Sequence, residues 1–135
     1  MKEKDVKPED IKRVVTDVKN VLGAGENSKV QTPFCVSGKA IPQTKPGAWG
    51  AARLKFIKLK KIKATNAQLD RENLIWHVQH PGKGLYKTPH DTHPQVMKTK
   101  GNGKIIIDGH HRLSALKLLG VKKTAVFVLK EKDLK

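Results

Sequence analysis

The chain is short of cysteine, aromatic residues, acidic side chains and long apolar runs, and each shortage removes a class of protein. Cys35 is the only cysteine, so no disulfide can close within the chain and thiolate metal clusters are excluded. A small buried thiol is the expected role for that residue. Aromatic residues make up 4% of 135, so the core is expected to be aliphatic and modest, enough for one domain with irregular attachments. No stretch approaches the roughly 20 apolar residues of a membrane helix. Met1-Lys2-Glu3-Lys4-Asp5 opens charged with no apolar run behind it, unlike a secretory leader. The expectation is a cytoplasmic protein, or one in a virion assembled in the cytoplasm, with no membrane partner.

Acids are outnumbered, 12 against 28 Lys and Arg, which leaves a formal charge of +16. A field of that sign concentrates polyanions, and nucleic acid is the polyanion a basic protein most commonly meets. DNA is expected ahead of RNA. The excess is clustered: Arg53 to Lys63 holds six basic residues and no acid, and no acid lies between Thr92 and Ile107. Arg53, Lys55, Lys58, Lys60, Lys61, Lys98, Lys100 and Lys104 are therefore the expected contacts to a phosphodiester backbone, lining a path with little base preference. Trp49 and Trp76 are the aromatic rings available to stack on bases.

Periodicity sketches the elements. Lys7-Pro8-Glu9-Asp10 suits a helix start, and Ile11, Val14, Val15, Val18, Val21 and Leu22 recur at helical spacing before Gly23. Residues 23–52 are rich in Gly, Pro, Ser, Thr and Gln and read as an extended arm that orders against something else, in a homo-oligomer or larger assembly. Arg53 to Lys60 alternates basic and apolar residues like a strand with one wet face, and its phase slip at Phe56-Ile57 suggests a bulge or a change of buried face. Thr65-Asn66 caps an expected helix through Leu69, Leu74, Ile75 and Val78. Pro94 to Lys98 is a short strand. Gly101-Asn102-Gly103 turns the chain into Lys104-Ile105-Ile106-Ile107, a strand buried on both faces. Arg112 to Leu119 is a helix stopped by Gly120, and Thr124 to Leu129 the closing strand. The fold class is α+β: a small mixed sheet with flanking helices in residues 53–130, an N-terminal helix in 1–22, the arm, and a charged tail in 131–135.

The chemistry concentrates where the buried strand ends. After Ile107 the chain turns at Asp108-Gly109 and a helix begins at once, so its first amides, unpaired within the helix and at the positive end of its dipole, face outward. Gly109 has no Cβ to block an approaching oxygen. Arg112 can grip phosphate with its fork, and His110 and His111 titrate near neutrality. Asp108, Gly109, His110, His111 and Arg112 are thus the expected phosphate or nucleotide site, with His110, His111 and Arg112 the candidates for catalysis. His90, Asp91 and His93 are the candidates for a divalent metal, Mg²⁺ or Mn²⁺ among the options; Asp91 and Glu72 are the acids available as a base.

The block Lys104-Ile105-Ile106-Ile107-Asp108-Gly109-His110-His111-Arg112-Leu113-Ser114-Ala115-Leu116-Lys117-Leu118-Leu119-Gly120, with Pro94-Gln95-Val96 ahead and Ala125-Val126-Phe127-Val128-Leu129 behind, resembles the ParB/sulfiredoxin superfamily. Its members share a proline-led strand, a hairpin into a strand ending in Gly-x-x-Arg, a helix and a closing strand. The resemblance implies a phosphate or nucleotide pocket at the turn, taking ATP or CTP. Sulfiredoxins carry a catalytic cysteine where His110 stands, so their repair reaction is not expected. ParB partition proteins carry Glu and Arg at His110 and His111 and continue into a helix-turn-helix, whereas this sequence stops at Lys135, so a CTP clamp is not expected either. The Asp-Gly-His-His-Arg form is closest to the ParB-like nuclease and free-serine-kinase branches. Two functions follow from it, a nucleic-acid-associated, nuclease-like protein and a nucleotide-dependent small-molecule kinase; the long irregular arm suggests a third, a non-catalytic structural or DNA-packaging component of a phage or plasmid system.

Overall fold

Ile11, Val14, Val15 and Val18 fall on one side of helix α1 (Pro8–Val21) in the computed structural model, which describes residues 5–21, 29–38, 41–82, 93–101 and 103–134. Glu9 and Asp10 occupy its first turn, and the Asp10 carboxylate accepts from the Lys7 amide at 3.1 Å, supplying an acceptor where the helix has none. Strands β1 (Lys29–Gln31), β2 (Arg53–Lys58), β3 (Ile62–Lys63), β4 (Gln68–Asp70), β5 (Gln95–Lys98), β6 (Lys104–Asp108) and β7 (Lys123–Lys130), with helices α2 (Arg71–Gln79) and α3 (His110–Leu118), complete an α+β fold. Among the described residues no helix is long and apolar enough to cross a membrane.

Five strands form a mixed sheet in the order β2-β7-β5-β6-β3, parallel at β7-β5 and β6-β3 and antiparallel elsewhere. Strands β2 and β3 hold opposite edges, yet only the 3₁₀ turn Leu59–Lys61 joins them. Four residue steps reach at most about 14 Å, whereas five flat strands would set the outer pair about 19 Å apart. The sheet is therefore strongly coiled. Val96, Ile106, Val126 and Val128 project from one face into a core shared with Leu113 and Leu116 of α3. Behind α3, Ala115 and Leu119 meet Leu74 and Val78 of α2 and Val14 and Val18 of α1. The opposite face buries Met97, Ile105 and Leu129 against Trp49 and Leu134.

Several expectations need correcting. The helix expected from Thr65-Asn66 starts at Arg71, because Gln68–Asp70 pairs antiparallel with Lys29–Gln31 and Asp70 caps the helix by accepting from the Asn73 amide at 3.0 Å. The same pairing ties down part of the supposed arm. Val30 and Phe34 are buried, Val36 bridges to Ala64, and the Ala64 amide donates to the Cys35 carbonyl. Cys35 itself is exposed, not buried. On β2, Ile57 alone enters the core, and Leu54 and Phe56 are 50% and 79% exposed. Their register opposite Phe127 and Ala125 puts them on the Leu129 face, at an edge strand. The phase slip at Phe56-Ile57 thus marks a change of which face is covered, not a bulge. Helix α3 begins at His110, directly after the Asp108-Gly109 turn and two residues before the apolar periodicity sets in.

Candidate functional site

Strand β6 ends at Asp108 and α3 begins at His110, so Gly109 alone makes the turn, with φ 92° and ψ 28°. A Cβ on that residue would sit 2.8 Å from Pro94 Cβ and 3.2 Å from Pro94 Cα. Close packing on the proline that leads β5, as well as backbone handedness, therefore demands glycine. The Asp108 carboxylate accepts from the Gly109 amide at 2.9 Å. The amides of His110 and His111 find no acceptor among the described residues, as expected of a helix opening with no side-chain cap.

Both imidazoles are turned back onto the protein. His110 Nε2 lies 3.2 Å from the Thr65 amide and 2.9 Å from Thr65 Oγ1. The Thr65 hydroxyl donates to the Ile106 carbonyl at 2.7 Å, so one threonine links the segment after β3, strand β6 and the first residue of α3. His111 Nε2 accepts from the Asp70 amide at 2.9 Å, which requires that nitrogen to be unprotonated. The donor is the N-cap residue of α2, so this ring fastens the start of one helix to the start of the other. The His77 and His111 rings lie nearly parallel, with centroids 6.4 Å apart. Burial depresses the His110 pKa, the neighbouring His111 adds to that, and Asp108 opposes it. Burial likewise depresses His111, against Asp70 and with Lys29. Both histidines are held neutral at pH 7, as hydrogen-bond anchors.

Arg112 is buried, and its Nη2 donates to the Gly82 carbonyl at 2.5 Å. The guanidinium thus secures the segment that leaves α2. Ser114 is fully buried one position past the first turn, and its hydroxyl has no hydrogen-bond partner among the described residues. The phosphate contacts expected of the His110 and His111 side chains would have to be made through the imidazole Nδ1 atoms, and the buried Arg112 guanidinium is engaged with the protein's own Gly82 carbonyl. What the turn offers beside its side chains is the pair of His110 and His111 main-chain amides, which find no acceptor among the described residues.

The other expected site residues scatter. His90 and Asp91 lie outside the described residues. His93 is half-buried, its ring edge-on to Phe127 at 5.5 Å. Among the described residues no group of three or more His, Cys, Asp or Glu side chains is placed to hold a metal ion. Glu72 is exposed beside Arg71, 3.6 Å away. Trp76 stacks on His80 at 4.2 Å and Trp49 packs on the sheet, so both rings are committed to the fold. Arg53, Lys55 and Lys58 are exposed on β2, with Lys60 and Lys61 on the following turn. Lys98, Lys100 and Lys104 stand at the β5–β6 hairpin. That is the far end of β6 from Asp108, about 13 Å away at the rise of a strand, so these three lysines stand apart from the turn. Sequence reasoning missed Phe56 as an exposed ring, and missed Lys130 and Lys132, which join the hairpin lysines. The signal for both lysines was present in the charged stretch that follows Leu129. No protein-family model matches the chain, and no curated protein matches it.

Proposed function

We propose that the chain is a nucleic-acid-associated protein of the ParB/sulfiredoxin kind, in which the turn from Asp108 to Arg112 holds a phosphate through main-chain amides. One observation carries the reading. A left-handed glycine, packed on Pro94, opens α3 so that the His110 and His111 amides are left without an acceptor among the described residues. Helix-opening amides of this kind suit a phosphate oxygen geometrically and electrostatically. The strand–glycine–helix order, the proline-led β5 and the closing strand β7 beside it support the family resemblance. A charge of +16 supports a polyanionic partner.

The reading stops at binding. Both Nε2 atoms are used in anchoring α2, β6 and α3, so nuclease or phosphotransfer chemistry through these imidazoles would have to use Nδ1. The test is an amide-resolved NMR titration with ATP, CTP and short DNA and RNA oligonucleotides, with and without Mg²⁺, beside gel shifts in graded salt. The expected result is a shift at Gly109, His110 and His111 together with binding that weakens as salt rises. Silence at those amides with every ligand would remove the reading.

A further inference from the structure

We infer that the end of the sheet opposite the turn is a second anion site, one that takes the phosphodiester backbone of a nucleic acid. The inference rests on the nucleic-acid reading above and deepens it.

The starting point is a cross-strand arrangement that a stable sheet would avoid. Lys98 lies directly opposite Lys104 on one side and Lys130 on the other. Each is two residues along its strand from Ile106, Val96 or Val128, which enter the same core, so all three ammonium groups leave the same face. Like charges directly opposite on neighbouring strands are destabilising. Three adjacent strands here carry them in one row, about 10 Å long at the usual strand spacing. Lys100 and Lys132 join Lys98, Lys130 and Thr99 around a hollow of about 180 Å³.

Among the described residues opposing charge is scarce at this corner. Glu131 is next in chain, but its carboxylate accepts from the Lys100 amide and so shapes the hairpin. Asp133 is exposed on the turn that follows. The Thr99 hydroxyl donates to the Gly103 carbonyl at 2.6 Å, which closes the hairpin and leaves its oxygen free to accept. What remains is a concave group of flexible point charges without a fork among them. Such a group suits successive phosphates, which ammonium groups meet as point charges, better than a single planar carboxylate. The excess of base over the whole chain favours an extended polyanion over a small anion.

The test compares two charge-matched double variants. Lys98→Ala with Lys130→Ala removes two of the row's three lysines. Lys12→Ala with Lys19→Ala removes two exposed lysines from α1. Binding to a fluorescent 20-base DNA, single- and double-stranded, is measured by anisotropy across a potassium chloride series, with sodium poly-glutamate and tripolyphosphate as competitors. On duplex DNA the row variant should flatten the salt slope by about 2, since each phosphate contact contributes about 0.9, and the α1 variant should leave it nearly unchanged. The row variant should also melt no lower than the parent, since it relieves repulsion. Equal losses in both variants would overturn the site while leaving the nucleic-acid reading intact. A parent protein that binds no nucleic acid in any salt would overturn both. Displacement by poly-glutamate as effective per charge as by DNA would overturn the choice of phosphodiester.

Discussion

Replacing Gly109 by alanine tests whether the turn is built as described. Two costs add. An alanine at φ 92° is in the left-handed region, which costs about 1–2 kcal/mol, offset in part by about 0.4–1 kcal/mol from the stiffer unfolded chain. The new Cβ would lie 2.8 Å from that of Pro94, and Pro94 is not free to retreat, since its carbonyl accepts from the Phe127 amide at 2.8 Å and registers β5 on β7. Forcing a methyl into such a contact typically costs about 1–3 kcal/mol. The expected loss is therefore about 2–4 kcal/mol, or roughly 10 °C in melting temperature for a domain of this size. Gly120→Ala separates the two costs, because Gly120 has φ 88° but nothing within 4 Å of an added methyl; it should lose only about 1 kcal/mol. Urea titration followed by circular dichroism reads both. If Gly109→Ala proved no worse than Gly120→Ala, the packing of the turn on Pro94 would be refuted.

Three further predictions follow from the same geometry. His111→Ala leaves the Asp70 amide without its acceptor and should cost about 1–2 kcal/mol at pH 8. Because the folded pKa of His111 lies below 6.5, the unfolded chain binds its proton first. The wild type should therefore lose stability as pH falls through 6.5 and on towards the folded value, and the variant should lose less of it between pH 7.5 and 5.5; parallel pH profiles in thermal melts would refute the anchor. Thr65→Val keeps the shape but removes the hydroxyl that donates to Ile106, for an expected loss of about 1–2 kcal/mol in urea, and a neutral result would show that the threonine does not link the three segments. Phe56→Ser should change stability by no more than about 0.5 kcal/mol, the ring being 79% exposed; a loss of 2 kcal/mol or more would mean that the ring is covered in the folded protein.

Elements that depend on neighbours in the sequence were legible in it. The 3.6-residue spacing of α1, the β-branched run of β6 and the glycine-marked turn into α3 are of this kind, and all three are present in the fold. What failed depended on distant partners. Gln68–Asp70 has a respectable helix-start pattern, and only Lys29–Gln31, some forty residues upstream, makes it a strand. The alternation of β2 was visible, but which of its faces is covered depends on how the coiled sheet places helices behind Thr124 and not behind Ala125. At the turn, residue types were legible and their directions were not. No spacing rule says that the His110 ring will face Thr65, or the His111 ring Asp70, from more than forty residues away.

That difference between type and direction bears on how the competing functions can be separated. Side-chain substitutions in the turn act on the fold before they act on any ligand, because His110, His111 and Arg112 hold α2 and the segments beside it in place. Loss of binding in such variants would therefore not distinguish a phosphate site from a destabilised domain. Strand β6 offers a cleaner separation. Asp108 stands at one end and Lys104 at the other, about 13 Å apart, which exceeds the reach of a single triphosphate's charged oxygens but not that of an oligonucleotide a few residues long. A mononucleotide-dependent enzyme would use the turn and ignore the lysine row. A protein that follows a nucleic-acid strand would engage the lysine row whether or not the turn is occupied. ATP or CTP at saturating concentration should consequently fail to displace DNA held by Lys98 and Lys130, and complete displacement by either nucleotide would move the weight of the argument to the turn alone.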